Sequence, residues 1–190
     1  DFYTSYTVVF LISVLLVAGF SQYIDLISWK EIGLTWNGFA LQAGTGFALA
    51  IAILGTGTCF LLAIDQLNWM EVQFNGQSFA MSFGLMLLVA FAEELVFRGY
   101  VLRNLRQSLS PVAALLVSAA LFAIFHSSNP GTNCLALVNV FIAGILLGIN
   151  YIFTRNLWFG IALHFAWNFF QGPVLGYAVS GLNLPSVLTP

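Results

Sequence analysis

The chain has 190 residues, of which 60% are hydrophobic and only 6% charged, with a mean hydropathy of +0.95. So few charges cannot cover a soluble surface, which excludes a soluble globular domain and leaves lipid as the main solvent. A net charge of −2 without a basic cluster gives nucleic-acid binding no electrostatic footing.

A membrane-spanning helix needs about 20 apolar residues. The first candidate runs from about Tyr6 to Ile27, without the positively charged n-region of a secretory signal. A polar loop follows with Lys30, Glu31, Trp36 and Asn37. The second span covers about Phe39 to Ile64, and its Gly44, Gly46, Gly55 and Gly57 are expected to admit a neighbouring backbone. Asp65 to Gln77 is polar and carries no base.

The third span, from about Ser78 into Val101, contains Glu93, Glu94 and Arg98 inside an apolar run. Ser110-Pro111 reads as an N-cap with proline at the first helical position. The fourth helix then runs to about Phe125 and ends at His126, before the breaker Ser127-Ser-Asn-Pro-Gly131. The fifth span, about Leu135 to Phe153, holds Asn139 and a Gly144-x-x-x-Gly148 pair suited to close helix packing. After Arg155-Asn156, the sixth runs from about Leu157 to Phe170 and carries His164 and Asn168. The tail from Gly172 to Pro190, broken by Gly and Pro, is expected to be interfacial or re-entrant. Cys59 and Cys134 have no ligand-like spacing and read as small apolar fillers.

The expected fold is therefore all-α: a polytopic integral membrane protein of about six transmembrane helices plus a C-terminal interfacial segment. Residues 1–77 supply the first two helices, 78–172 the core with the polar motifs, and 173–190 the tail. Loops one, three and five hold Lys30, Arg103, Arg106 and Arg155, whereas loops two and four hold no Lys or Arg. The positive-inside rule puts the odd loops on the cytoplasmic side and Asp1 opposite.

An ionised side chain at bilayer depth costs roughly 2.5–3.5 kcal/mol on insertion scales, so each one needs a partner or a purpose. Glu94 and Arg98, at i and i+4, can neutralise one another. Glu93 lies about 100° round the helix and has no such partner. His164 and Asn168 are also spaced i and i+4. Glu93, His126, His164 and Asn168 can thus converge from three helices on one cavity. A carboxylate beside an imidazole suits activation of a water, and a second imidazole with a carboxamide suits a developing oxyanion. Glu93, His126 and His164 are equally a ligand set for Zn²⁺ or another divalent metal, and the spacing does not choose between metal-bound and metal-free. Counted from the odd-loop ends, Glu93 and His164 lie about 10–15 Å deep but His126 about 22 Å. Convergence requires helix three to extend to Gln107 or helix four to tilt.

Glu93-Glu94-x-x-x-Arg98, Phe122-x-x-x-His126 and His164-x-x-x-Asn168, in this order on successive helices, resemble the CPBP intramembrane proteases. That family includes CAAX prenyl endopeptidases and Abi-type bacteriocin-processing proteins, and the resemblance covers about Ser78 to Phe170. It implies an all-helical membrane core hydrolysing a peptide bond, with Glu93 as base and His126 polarising the water. His164 and Asn168 would form the oxyanion site, with Glu94 and Arg98 as structural support. Family members are described both as metalloproteases and as glutamate-dependent hydrolases. The resemblance further implies membrane lipid, a peptide or protein substrate (prenylated or not) and a plasma or thylakoid/plastid-type membrane. A non-catalytic scaffold within a larger membrane complex, keeping the family fold, is the rival reading. A proton-coupled transporter is a weaker third, because no internal repeat is visible.

Overall fold

The computed structural model describes residues 2–190, so Asp1 and its assigned side lie outside the described residues. Helix is about 73% of the structure, as expected where no water is available to satisfy backbone polar groups. α1 (Phe2–Gly19) continues through a π-helical turn, Phe20–Ile24. A one-turn helix, α2 (Trp29–Ile32), follows, its N-terminus closed by a capping box between Ser28 and Glu31 and its C-terminus by Gly33 in the left-handed conformation. α3 spans Phe39–Ala63, and α4 spans Gly76–Glu94 with Asn75 as its N-cap.

Beyond Glu94 the backbone changes to a π-helix, Leu95–Leu102, and closes with α5 (Arg103–Leu105). The whole Gly76–Leu105 stretch is one 30-residue apolar rod. This is the extension that convergence of the polar motifs requires. α6 (Pro111–Phe125) begins where Ser110-Pro111 places it, with the Ser110 hydroxyl accepting the Ala113 N–H. α7 (Cys134–Thr154) is capped by Asn133 and ends on Arg155 in the left-handed conformation. α8 (Trp158–Phe169) runs on through a π-helical turn to Val174.

Among the described residues, five helical segments are long and apolar enough to cross a membrane, beginning at Tyr3, Phe39, Gly76, Pro111 and Cys134. The sixth expected span is α8, whose 12 residues, 17 with the π-helical turn to Val174, rise at most about 25 Å, short of a hydrocarbon layer of about 30 Å. It is instead the central rod of the bundle. Leu157 and Ile161 join Val17, Ile32, Leu95 and Leu102 in one core cluster. Phe165 and Phe169 join Phe10, Leu85 and Val89 in a second, and Leu163 and Ala166 join Ala50 and Leu147 in a third. Protein surrounds α8 on each side, so its C-terminal end need not reach an interface.

Of the four α3 glycines, Gly46 alone meets another backbone: a Cβ there would fall 2.3 Å from the Phe159 carbonyl oxygen on α8. Positions 44, 55 and 57 have nothing within 4 Å, so the expectation of close packing fails for these three. The cysteines are free and exposed on the helix surface; they fill no part of the core.

Loops one and five bind each other at one end of the bundle. Leu157 N–H donates to Gly33 O (2.9 Å), Trp158 Nε1 to Thr35 O (3.0 Å) and Asn156 Nδ2 to Asn37 O (3.1 Å). At the other end the tail leaves the π-helical turn, folds back on itself where Val179 and Leu182 exchange backbone hydrogen bonds, and then docks on loop two. Its strand β2 (Leu188–Thr189) pairs antiparallel with β1 (Glu71–Val72) of loop two. Gly181, at φ +80°, passes so close to loop four that a Cβ would overlap the Pro130 carbonyl.

Candidate active site

The two adjacent glutamates end the α-helical part of α4, and both are buried. The π-helical stretch begins with the next residue, the kind of irregularity found where a helix serves a site. It is held from α6 by Ser118, whose hydroxyl donates to Phe97 O at 3.0 Å.

Glu94 faces three elements at once. Its Oε1 accepts from Arg98 Nη1 at 2.8 Å and from His164 Nδ1 at 3.0 Å. The side chain lies against the α8 backbone, where a Cβ at Gly160 would stand 2.6 Å from Oε2. Arg98, 1% exposed, donates a second bond from Nη2 to Gly144 O at 3.0 Å and sits 4.5 Å over the Phe122 ring. Glu94 and Arg98 thus neutralise each other in a dry site and tie α4, α7 and α8 together. The glycine pair on α7 is used as expected: a Cβ at Gly144 would press on Ala119 and one at Gly148 on Leu115, both on α6.

Glu93 is the unneutralised carboxylate. Its Oε2 lies 3.8 Å from His126 Nε2 and 3.8 Å from His164 Nε2, and accepts no hydrogen bond from any described residue. His126 Nδ1 is 2.8 Å from Phe122 O. A carbonyl can only accept, so in the neutral ring the proton is on Nδ1; the carboxylate of Glu94 assigns the same tautomer to His164. Both Nε2 lone pairs then point at the Glu93 carboxylate. A separation of 3.8 Å is too long for a direct hydrogen bond and is the spacing of groups that share a small bridging molecule.

The donor types suit a divalent metal, and Nδ1–H bonded to a carbonyl or carboxylate is how ligating histidines are oriented. The spacing does not suit it. Bonds of about 2.05 Å across each 3.8 Å edge would open the O–metal–N angle to about 135°, against about 109° in a tetrahedral site.

The fold therefore gathers Glu93, Glu94, Arg98, His126 and His164. Asn168 is half-buried one turn beyond His164 and has no hydrogen-bond partner among the described residues. Asn139, on the exposed side of α7, is not drawn in. Sequence reasoning missed Ser118, Phe97 and Gly160. The GxxxG pattern could signal Gly144, but nothing local marks Gly160, because its requirement comes from a carboxylate on another helix.

Residues 75–170 match the family described as Type II CAAX prenyl endopeptidase Rce1-like. That is just over half of the chain, and it holds all three motifs. The chain belongs to this family. No curated protein and no solved structure matches it. As a type II CAAX prenyl endopeptidase Rce1-like protein it is a multi-pass membrane protein of a protease family. The match begins at the cap of α4 and ends with α8, the interval that carries the glutamates, the histidines and Arg98.

Proposed function

We propose that the chain is an intramembrane endopeptidase in which Glu93 activates the attacking water. The observation that carries this reading is the position of Glu93 Oε2, 3.8 Å from each of two Nε2 atoms whose rings are oriented from behind. A water between Glu93 and His126 gives one proton to the carboxylate and donates its other hydrogen to the His126 lone pair, which aims its oxygen. That oxygen bonds to the scissile carbonyl carbon, and the carbonyl oxygen becomes an oxyanion. His164, when protonated on both nitrogens, donates from Nε2 to this oxyanion. Glu94, bonded to its Nδ1, holds the ring in place, and the Asn168 amide is the second donor. Collapse breaks the C–N bond, and Glu93 returns its proton to the departing amine. No step is routed through a metal ion.

The family description points to a prenylated CAAX peptide as the substrate to assay first. A buried site among apolar helices is one that a lipid-modified peptide reaches without leaving the membrane. The charge of the odd loops, with Lys30, Arg103, Arg106 and Arg155, supports a cytoplasmic position for them. The test is release of a peptide from a prenylated reporter by protein reconstituted in vesicles. Glu93→Gln and His126→Ala should each lower turnover by about 10²–10⁴-fold while the protein stays folded and inserted. Full cleavage by Glu93→Gln would sink the mechanism, and no cleavage by wild type across CAAX and unprenylated peptides would favour a scaffold.

A further inference from the structure

The chain has five cationic residues, and three of them, Arg103, Arg106 and Arg155, line one open cleft of about 460 Å³ at the odd-loop end. Ile27, Gln107 and a single carboxylate, Asp25, complete its walls. Loops one, three and five all contribute, so this cluster exists only in the folded bundle. Among the described residues no carboxylate lies within 4.0 Å of any of the three guanidinium groups. Asp25 interacts with the Tyr100 hydroxyl, and Glu31 is engaged by Ser28, whose N–H and hydroxyl each bond Oε2 at 2.7 Å. Arg106 Nε is buried with no hydrogen-bond partner among the described residues. A buried N–H of a cation without an acceptor marks a place for one.

The level of the cleft is marked independently. Trp36, 74% exposed, stacks on Trp158 with ring centroids 5.3 Å apart, and Phe39 packs edge-on against both. Trp158 lies three residues beyond Arg155. Tryptophans gather at the headgroup level of a bilayer. We infer that the Arg103–Arg106–Arg155 cleft is a binding site for a phosphate-type oxyanion at the membrane surface, remote from Glu93 and separate from the proteolytic site. Guanidinium forks match phosphate oxygens, and Gln107 adds an uncharged donor.

The test is native mass spectrometry of the full chain in detergent, titrated with short-chain phosphatidylglycerol or phosphatidylcholine. A parallel arm follows thermal stabilisation by inorganic phosphate. Phosphatidylglycerol should bind preferentially, and each neutralised arginine should weaken it about fivefold, so Arg103→Gln with Arg106→Gln should lose roughly 25-fold. Arg155→Gly is the folding control: residue 155 has φ +53°, which glycine adopts without strain, so the charge is removed without straining the backbone. Phosphate binding with the same arginine dependence, and no lipid preference, would establish the site and assign it to a soluble anion. Equal retention of the two lipids with no response to phosphate, or arginine variants that bind like wild type, would overturn the inference.

Discussion

His164 Nδ1 lies 3.0 Å from Glu94 Oε1, on the same oxygen that Arg98 Nη1 reaches at 2.8 Å. One carboxylate oxygen therefore neutralises a buried guanidinium and sets the tautomer and direction of an imidazole. Its neighbour in sequence, Glu93, does neither and points at the lone-pair side of both histidines. Adjacent in the chain, the two glutamates meet opposite nitrogens of His164, and only Glu93 also faces His126, because successive residues of a helix diverge by about 100°.

Glu94→Gln and Glu93→Gln should accordingly separate stability from chemistry. Glu94→Gln leaves Arg98 buried and charged without its counter-ion, a loss of about 3–5 kcal/mol. Glu93→Gln removes a buried carboxylate that no described residue bonds, so the protein should be as stable as wild type or more so. Thermal unfolding in detergent checks this; equal melting temperatures for the two variants would contradict it.

Arg98→Lys should behave as a severe change despite keeping the charge. Lysine cannot bond Glu94 and Gly144 O from two fixed nitrogens, nor lie flat over Phe122. A cost of about 2–4 kcal/mol is expected from loss of one charged hydrogen bond and the ring contact. Unchanged stability in the same unfolding assay would show that the guanidinium geometry is dispensable.

Gly160→Ala tests the α8 contact. The added methyl would stand 2.6 Å from Glu94 Oε2, so the carboxylate or the helix must shift. Overpacking of this kind costs about 1–3 kcal/mol, and moving Glu94 turns His164 away from Glu93. Turnover should fall by on the order of tenfold or more with the protein still folded, whereas Gly55→Ala, with nothing within 4 Å, should be silent.

Metal content decides between the two descriptions of the family's chemistry. With both O–N edges at 3.8 Å, purified wild type should carry well under one zinc per chain and keep its activity after chelation. Near-stoichiometric zinc, lost in both Glu93→Gln and His126→Ala, would show that the three side chains close on an ion and would replace the metal-free mechanism.

The sequence by itself determined which ionisable side chains lie inside the apolar helices. In a chain with so few ionisable groups, those inside apolar runs stand out, and the i, i+4 spacing of Glu94 with Arg98 is a purely local relation that the fold retains. Caps are equally local, so Ser110-Pro111 announced the start of α6. Only the tertiary structure decided the rest. The π-helix after Glu94 and the continuation to Leu105 bring His126 level with Glu93, and no propensity marks that register. Gly46 is essential to packing and Gly55 is not, because one faces Phe159 and the other nothing, though both sit in the same apolar helix. α8 looked like another span, yet it is a short central rod, since hydropathy reports apolar surroundings without distinguishing lipid from protein. Composition and spacing report what a residue is and what lies within a turn of it. Which helix stands opposite is settled by packing between segments far apart in the chain.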